Sequence, residues 1–513
     1  MLGKKNTQHA AAWLFRKRHR DRGSCGRKVI VIAPRSRLRT DTDKDQKTRW
    51  GKRIATRYPG ANAPGSSRLS GPGQAASGSP VILGVKVDDG ESEMKVREVL
   101  VKVFEPGRLR MAWQQVRANA GAAGIDQMTV EEFSQREEHL LALIHDKLES
   151  GTYRFQPARR VEIPKPGTSK TRKLGIPVVM DRIVGTSMHS VLEELFDADF
   201  TESNFGFRAG RSQHQAIRQL QRLVREGRDW AVALDLQAFF DEIPHGLILQ
   251  LIRRKVADEP FVTLLARLLK AGVVVEGVFE KTTKGCPQGS PLSPILSNIV
   301  LNELDHKLEE RNLGYCRWAD DFVIVVRSER AAQRVMKGTI AYLEEELGLL
   351  VNRGKSRVAP IKEVTFLGFQ ILRGKIRVST KAQARFKARV RELTRRNNPL
   401  SMYQVIRELN KYLRGWVGYF GIQEFKYLFR DLDAWIRSRL RSTQLKKWKK
   451  PKKFQRIMIM AGFDPNAAHR TWIKMNRWQS VMRRPVRFVM NLDWFRTRGL
   501  VFLHDFTIAL SRA

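Results

Sequence analysis

The chain has 513 residues, 42% of them hydrophobic, and carries 94 Lys and Arg against 52 Asp and Glu, a formal net charge of +42. That length allows about three or four folded units of roughly 150 residues and excludes a single small module, while so large a positive charge favours a polyanionic partner, nucleic acid first. Cys25, Cys286 and Cys316 are too few and too widely spaced for a disulfide framework or a four-cysteine zinc site, so a reducing compartment fits. No apolar run approaches the roughly 18 residues of a membrane span.

The charge is unevenly spread along the chain. Residues 1–91 hold 20 basic and 7 acidic side chains, residues 92–380 hold 43 and 37, and residues 381–513 hold 31 and 8. A nearly neutral body between basic ends suits a catalytic unit with nucleic-acid-gripping extensions, and a solvated basic tail is the plainer reading of either end alone. The first 91 residues lack sustained apolar periodicity and are expected to be disordered, with Gly60–Pro80 a flexible linker. Up to Thr40 a single acid, Asp21, stands among 12 Lys and Arg, which fits either an organellar presequence or an RNA-binding arm.

Order is expected from about Val96. Val99, Leu100, Val103 and Phe104 make one helical stripe, and Leu109 to Ala118 make another. Trp230–Leu236 (WAVALDL) reads as a buried strand ending in Asp235, a costly place for a carboxylate that binds nothing. Lys284–Pro294 (KGCPQGSPLSP) reads as a ligand-contacting loop in which Gly289 permits close backbone approach, with Ser293 as N-cap and Pro294 as first residue of the following helix. Tyr315–Val326 (YCRWADDFVIVV) places two short apolar stretches around Asp320 and Asp321, the pattern of a hairpin with adjacent carboxylates at its turn. Farther on, Ala384, Phe386, Val390 and Leu393 give Lys381–Arg396 the apolar stripe of a basic helix lying on a core.

The three acids have a joint chemical logic. Two divalent metals about 3.5 to 4 Å apart need carboxylates to hold them while they stabilise the attacking and leaving oxygens of phosphoryl transfer. Asp235 and Asp320 are the expected ligands with Asp321 in support. An adjacent pair sends its side chains apart, and the sequence leaves the division of labour within it open.

At these residues the chain resembles reverse transcriptases, and in particular the group II intron-encoded proteins that are both reverse transcriptase and maturase. Ala112–Phe133 resembles their N-terminal extension, Thr171–Val184 their fingers motif and Asn204–Ile217 the one after it. ALDLQAFFDEIPH, KGCPQGSPLSPILSN, WADD, LGLLVNRGKSRV and VTFLGFQI follow in the family's order, and LNKYLRGWVGYF (Leu409–Phe420) resembles the maturase thumb. Trp318 departs from the smaller aromatic usual before Ala-Asp-Asp.

The resemblance implies an α+β right-hand polymerase fold, with fingers and palm built on an antiparallel sheet and then an α-helical thumb/maturase domain. The expected divisions are a basic extension over 1–91, fingers and palm over 92–380, thumb over 381–465 and a basic nucleic-acid-binding region over 466–513. It implies that Asp235, Asp320 and Asp321 hold two Mg2+ ions and that Lys170 and Arg172 touch the incoming triphosphate. Gln288 and Gly289 would meet nucleotide and template, and Lys355 the pyrophosphate or the leaving-group proton. Phe240 would exclude a ribose 2′-hydroxyl, so deoxynucleoside triphosphates are the expected substrates. Lys411, Arg414, Lys446, Lys447, Lys449 and Lys450 would bind RNA, although Tyr412, Trp416, Tyr419 and Phe420 suit helix packing as well as base stacking.

The implied partners are the intron RNA, which the protein would help to splice, and target DNA, with a cytoplasmic, nucleoid-associated or organellar location. Trp478–Phe506 resembles the short ends of intron proteins lacking an endonuclease, so priming from a nascent strand is expected. A defence or retron-type reverse transcriptase is disfavoured by LRGWVGYF, and a splicing cofactor with a dead polymerase is the remaining alternative.

Overall fold

The computed structural model describes residues 95–164, 171–286, 289–448, 451–473 and 481–512. The expected disorder of residues 1–91 and the sites expected at Lys170, Gln288, Lys449 and Lys450 lie outside these. The described residues belong to one compact unit, Glu91–Ala513. Among them no helix is long and apolar enough to cross a membrane.

Among the described residues ten strands are arranged as two four-stranded sheets and a hairpin: β1 Ala158–Pro164, β2 Thr171–Ile176, β3 Trp230–Leu234, β4 Val273–Val275, β5 Val278–Glu280, β6 Gly314–Trp318, β7 Asp321–Val326, β8 Arg357–Pro360, β9 Phe369–Leu372 and β10 Lys375–Val378. The central sheet, ordered β6-β7-β3-β8, is antiparallel throughout. Its strands are buried on both faces, so their apolar runs are continuous while the pleat still sorts alternate side chains. Val232, Leu234, Phe322, Ile324 and Val326 join one core, whereas Ala231, Val323 and Val325 join another. The first core is covered by helices Ser293–Glu310 and Glu329–Ala341.

The second core is covered by helix Gln213–Arg225. Ser212 caps that helix, its hydroxyl accepting from the Gln215 backbone N–H, and Ala216, Ile217, Leu220, Leu223 and Val224 form its buried stripe. The other four-stranded sheet, β2-β1-β4-β5, combines antiparallel pairs with one parallel pair, β1 beside β4.

From Val378 onward a separate apolar core is almost wholly helical. Helix Met402–Phe420 opens with a capping box, Ser401 and Gln404 each satisfying the other's backbone N–H. It lies in sequence between helices Thr380–Leu393 and Tyr427–Lys447, whose inward residues share the same core. Two expectations need correction. The inward stripe of helix Thr380–Leu393 is Ala382, Phe386 and Val390, and Ala384 is exposed, because residues four apart stack on one face and 384 falls off it. The helix after the KGCPQGSPLSP loop begins one residue earlier than expected, with Leu292 at the N-cap and Ser293 buried inside the helix.

Candidate active site

The register of the central sheet brings the three acids to one end. Leu234 of β3 faces Phe322 of β7, so Asp235, the next residue, comes opposite Asp321. On its other side Asp321 pairs with Trp318 of β6, leaving Ala319 and Asp320 as a two-residue turn. Ala319 takes the left-handed conformation, φ 56°, that lets so tight a turn follow the sheet twist. The pleat places Asp321 on the side of Val323 and Val325, and Asp320 projects from the turn itself.

The electrostatics show that these carboxylates share one space. Burial raises Asp320, and the charge of Asp235 raises it further, against the pull of Arg172 and Arg317. Burial likewise pushes Asp321 up to about 7, with Asp320 and Asp235 adding to the shift. Asp321 keeps some solvent access at its strand end, which tempers that shift. Asp235 is 41% exposed and forms an ion pair with Lys355 at 2.8 Å. The three side chains do not draw into a tight trio. Among the described residues, the group whose ligand atoms approach within 4.8 Å is the surface set His145, Asp146 and Glu149.

Lys355 owes its place to a backbone clamp. The Asn352 N–H donates to the Asp235 carbonyl at 2.8 Å, the Asp235 N–H donates to the Ser356 hydroxyl at 3.1 Å, and the Gln237 N–H donates to the Leu350 carbonyl at 2.8 Å. Beneath the hairpin turn lies a support that the sequence did not reveal. Arg317, fully buried, donates to both oxygens of buried Asp305 at 2.8 and 2.9 Å, to Asn298 at 3.0 Å and to the Ala319 carbonyl at 3.2 Å. Asn298 in turn donates to the Gly206 carbonyl at 2.8 Å, and Gly206 lies against the Ala319 backbone where no β-carbon would fit. An arginine in the middle of a strand next to a hairpin acid was the available signal.

The remaining expected residues gather around this end to different degrees. Arg172, exposed on β2, acts electrostatically on Asp320. Phe240 belongs to the short helix Phe239–Glu242, where Phe239 is buried and Phe240 only half-buried. The glycine loop is tied to that helix. The Cys286 N–H donates to the Phe240 carbonyl at 2.6 Å, the Gly285 N–H donates to the Ile243 carbonyl at 2.7 Å, and Gly285, φ 88°, packs on the Asp241 backbone. Gly289, φ 113°, abuts Gly175 of β2 so closely that any side chain would collide with its carbonyl. Arg160 and Lys173 also face this region, opposing the burial that raises Asp241. Neither was expected, and the adjacent basic pairs Arg159–Arg160 of β1 and Arg172–Lys173 of β2 were the trace of them.

Among the expected RNA-binding residues, Arg414 and Lys446 are exposed, Lys411 pairs with Glu408 at 2.9 Å, and Lys447 donates to the Asn398 carbonyl at 2.7 Å. The thumb aromatics are packed. Trp416 lies 4.3 Å from Phe386 and 4.9 Å from Phe420 between ring centroids, and Tyr419 donates its hydroxyl to the Leu367 carbonyl at 2.8 Å.

Carboxylates at the strand ends of an antiparallel sheet, a glycine loop beside them and a helical domain after them in the chain have the layout of a right-hand polymerase fold. Residues 163–371 match the family described as reverse transcriptase (RNA-dependent DNA polymerase), and residues 383–459 match the group II intron, maturase-specific domain. Protein YkfC of Escherichia coli K12 is 32% identical over 329 residues, 56% of this chain and 86% of that protein. The group II intron-encoded protein LtrA of Lactococcus lactis is 36% identical over 220 residues, 42% of this chain and 36% of that protein. A putative COX1/OXI3 intron 2 protein of Saccharomyces cerevisiae is 29% identical over 283 residues, 44% of this chain and 33% of that protein. The chain thus spans about a third of the length of the latter two relatives. It belongs to the group II intron-encoded reverse transcriptase and maturase family.

Proposed function

We propose that this chain is an RNA-directed DNA polymerase that also binds a group II intron RNA, assisting its splicing and copying it during intron mobility. The observation that carries the reading is the convergence of Asp235, Asp320 and Asp321 at one sheet end, where burial, with the neighbouring carboxylates adding to it, raises Asp320 and Asp321 above the usual carboxylate range. Three carboxylates at one sheet end, as hard oxygen donors, fit divalent cations, and two Mg2+ ions are the proposed occupants. When bound they supply neutralisation of the attacking and leaving oxygens of phosphoryl transfer.

The chain's own groups complete the site. Arg172, which acts electrostatically on Asp320, is assigned to the triphosphate, and the same role is assigned to Lys170, which lies outside the described residues. Lys355 is the candidate for the pyrophosphate or the proton delivered to that leaving group, and it must leave Asp235 to serve there. Half-buried Phe240 offers a ring edge against the sugar of a deoxynucleotide. Gln288 and Gly289 are assigned to nucleotide and template, since the glycine lets the loop lie flat on β2. Lys411, Arg414, Lys446, Lys447, Lys449 and Lys450 are assigned to RNA phosphates, with fingers and palm over 92–380, thumb over 381–465 and a basic region beyond. Target DNA is the second nucleic-acid partner.

The test is a double substitution, Asp320→Ala with Asp321→Ala, assayed for primer extension on an RNA template and for splicing of the intron RNA encoded around the gene. Polymerisation is expected to vanish while splicing persists, because splicing needs RNA-binding surfaces and not the carboxylates. Polymerisation that survived would remove the metal assignment.

A further inference from the structure

A recess among the described residues lies away from the carboxylates. It has a volume of about 580 Å³ and opens beside the residues that precede β1 and β4. Arg172 pairs with Ile163 near the opposite end of β1, five residues beyond Ala158, so about 17 Å of strand separates the recess from the triphosphate side. Its wall carries Arg154, Arg253, Arg267 and Lys270 against a single acid, Glu259.

Two of these cations have no acid to balance them. Arg154 donates to the carbonyls of Gly151 at 3.3 Å and Tyr153 at 3.0 Å, and Arg267 donates to the Gly151 carbonyl at 2.8 Å. These neutral partners fix both guanidinium groups side by side and leave their charge uncompensated. Arg253 pairs with Glu259 at 2.6 Å, and Lys270 is exposed at the end of its helix. The recess therefore carries a net excess of positive charge.

Its rim is aromatic. Phe279 on the edge strand β5 is 56% exposed and is braced from behind by Gly272, φ 80°, where a β-carbon would run into the ring. Phe155 lines the same recess and stands on Tyr153 at 5.2 Å between ring centroids. An exposed, braced ring beside fixed guanidinium groups is the pairing that holds an unpaired nucleotide, base on the ring and phosphate on the cations. An acidic peptide would use the cations but would leave the ring in water. The volume also lies within the range of about 300 to 1,000 Å³ that encloses one small ligand.

We infer that this recess is a second nucleic-acid site, separate from the catalytic cleft, which captures an unpaired nucleotide of a single strand between Phe279 and the Arg154, Arg267 and Lys270 cluster. The inference does not depend on the polymerase reading, since it rests on other residues.

The full chain would be irradiated with a 5-iodouridine-labelled oligouridine dodecamer and, in a parallel arm, with its deoxy counterpart, and the crosslinked peptides mapped. A crosslink at Phe279 is expected. It should fall roughly tenfold in Arg154→Gln with Lys270→Gln, through lost phosphate contacts, while primer extension on a pre-annealed template stays unchanged. Lys270→Gln alone, at an exposed position, keeps the test valid should the double variant fold poorly, and a smaller fall of the same sign is expected from it. Crosslinking by both oligomers assigns the site to any unpaired strand, and crosslinking by oligouridine alone assigns it to RNA. No crosslink at Phe279, a crosslink indifferent to these substitutions, or equal competition by polyglutamate would overturn the inference.

Discussion

A single ring separates two accounts of substrate choice. Phe240 is half-buried and shares an edge contact with buried Phe239, 5.3 Å between centroids, so it has an open side that Phe239 lacks. If that side faces the nucleotide sugar, Phe240→Ala relieves a clash, and ribonucleotide incorporation should rise relative to deoxynucleotide incorporation. A ring serving only the core would instead cost about 3 to 5 kcal/mol on truncation and lower both activities together. Single-nucleotide incorporation with matched substrates, read beside a melting curve, distinguishes these outcomes. Arg317 is a different kind of residue, since it is fully buried and supports the Ala319 carbonyl from below. Arg317→Met leaves Asp305 buried without its partner, and a loss of about 3 to 5 kcal/mol is expected in denaturant unfolding. Asp305→Asn with Arg317→Met should recover part of that loss, because no bare buried charge then remains.

At the scale of elements, the β1 sheet is joined to helix Val179–Phe196 through one buried carboxyl. Asp181 accepts from the Tyr153 hydroxyl at 2.8 Å and from the Gln156 N–H at 2.9 Å, yet burial outweighs both and raises it from 3.8 to about 7. The folded protein therefore keeps a proton that the unfolded chain releases, and stability should fall as pH rises from about 4 to about 7, by at most about 4 kcal/mol for this group. Asp181→Asn cannot titrate. Its melting temperature should be lower at acid pH, where a good acceptor has been lost, and flatter across that interval in a pH series. A wild-type curve as flat as the variant's would rule out Asp181 as the titrating group.

For the whole molecule, charge is the governing quantity. The region 381–513 carries 31 basic and 8 acidic residues, and its helices bury their apolar stripes in one core while most of the cations among the described residues are exposed. RNA binding should weaken steeply with salt, and each phosphate contact removed should flatten the log-log slope by up to about 0.9. Exposed Lys446, Lys452 and Lys453 are expected to contribute to that slope. Lys447 is expected to contribute less, because it is already engaged by the Asn398 carbonyl and its loss would chiefly loosen the junction of two thumb helices. Filter-binding titrations of Lys446→Gln and Lys447→Gln at several salt concentrations would separate these roles, and identical slopes would refute the distinction.

The sequence alone determined what local pattern can carry: a buried strand ending at Asp235, a hairpin with Asp320 at its turn, a glycine-rich loop before a helix, and the imbalance of charge between palm and thumb. These were legible because pleat, turn and helix periodicities act over a few residues, and because the motifs keep a fixed order. Only the tertiary structure decided which distant groups meet. Lys355 reaches Asp235 across 120 positions of chain through a backbone clamp, and Arg317 finds Asp305 and Asn298 on a helix that precedes it. Ala384 and Ala382 are equally apolar in the sequence, and helix phase against the thumb core put one outside and the other inside. The recess at Phe279 draws on four separate segments, none distinctive by itself, because a binding surface arises from packing between elements and leaves no periodic trace in any one of them.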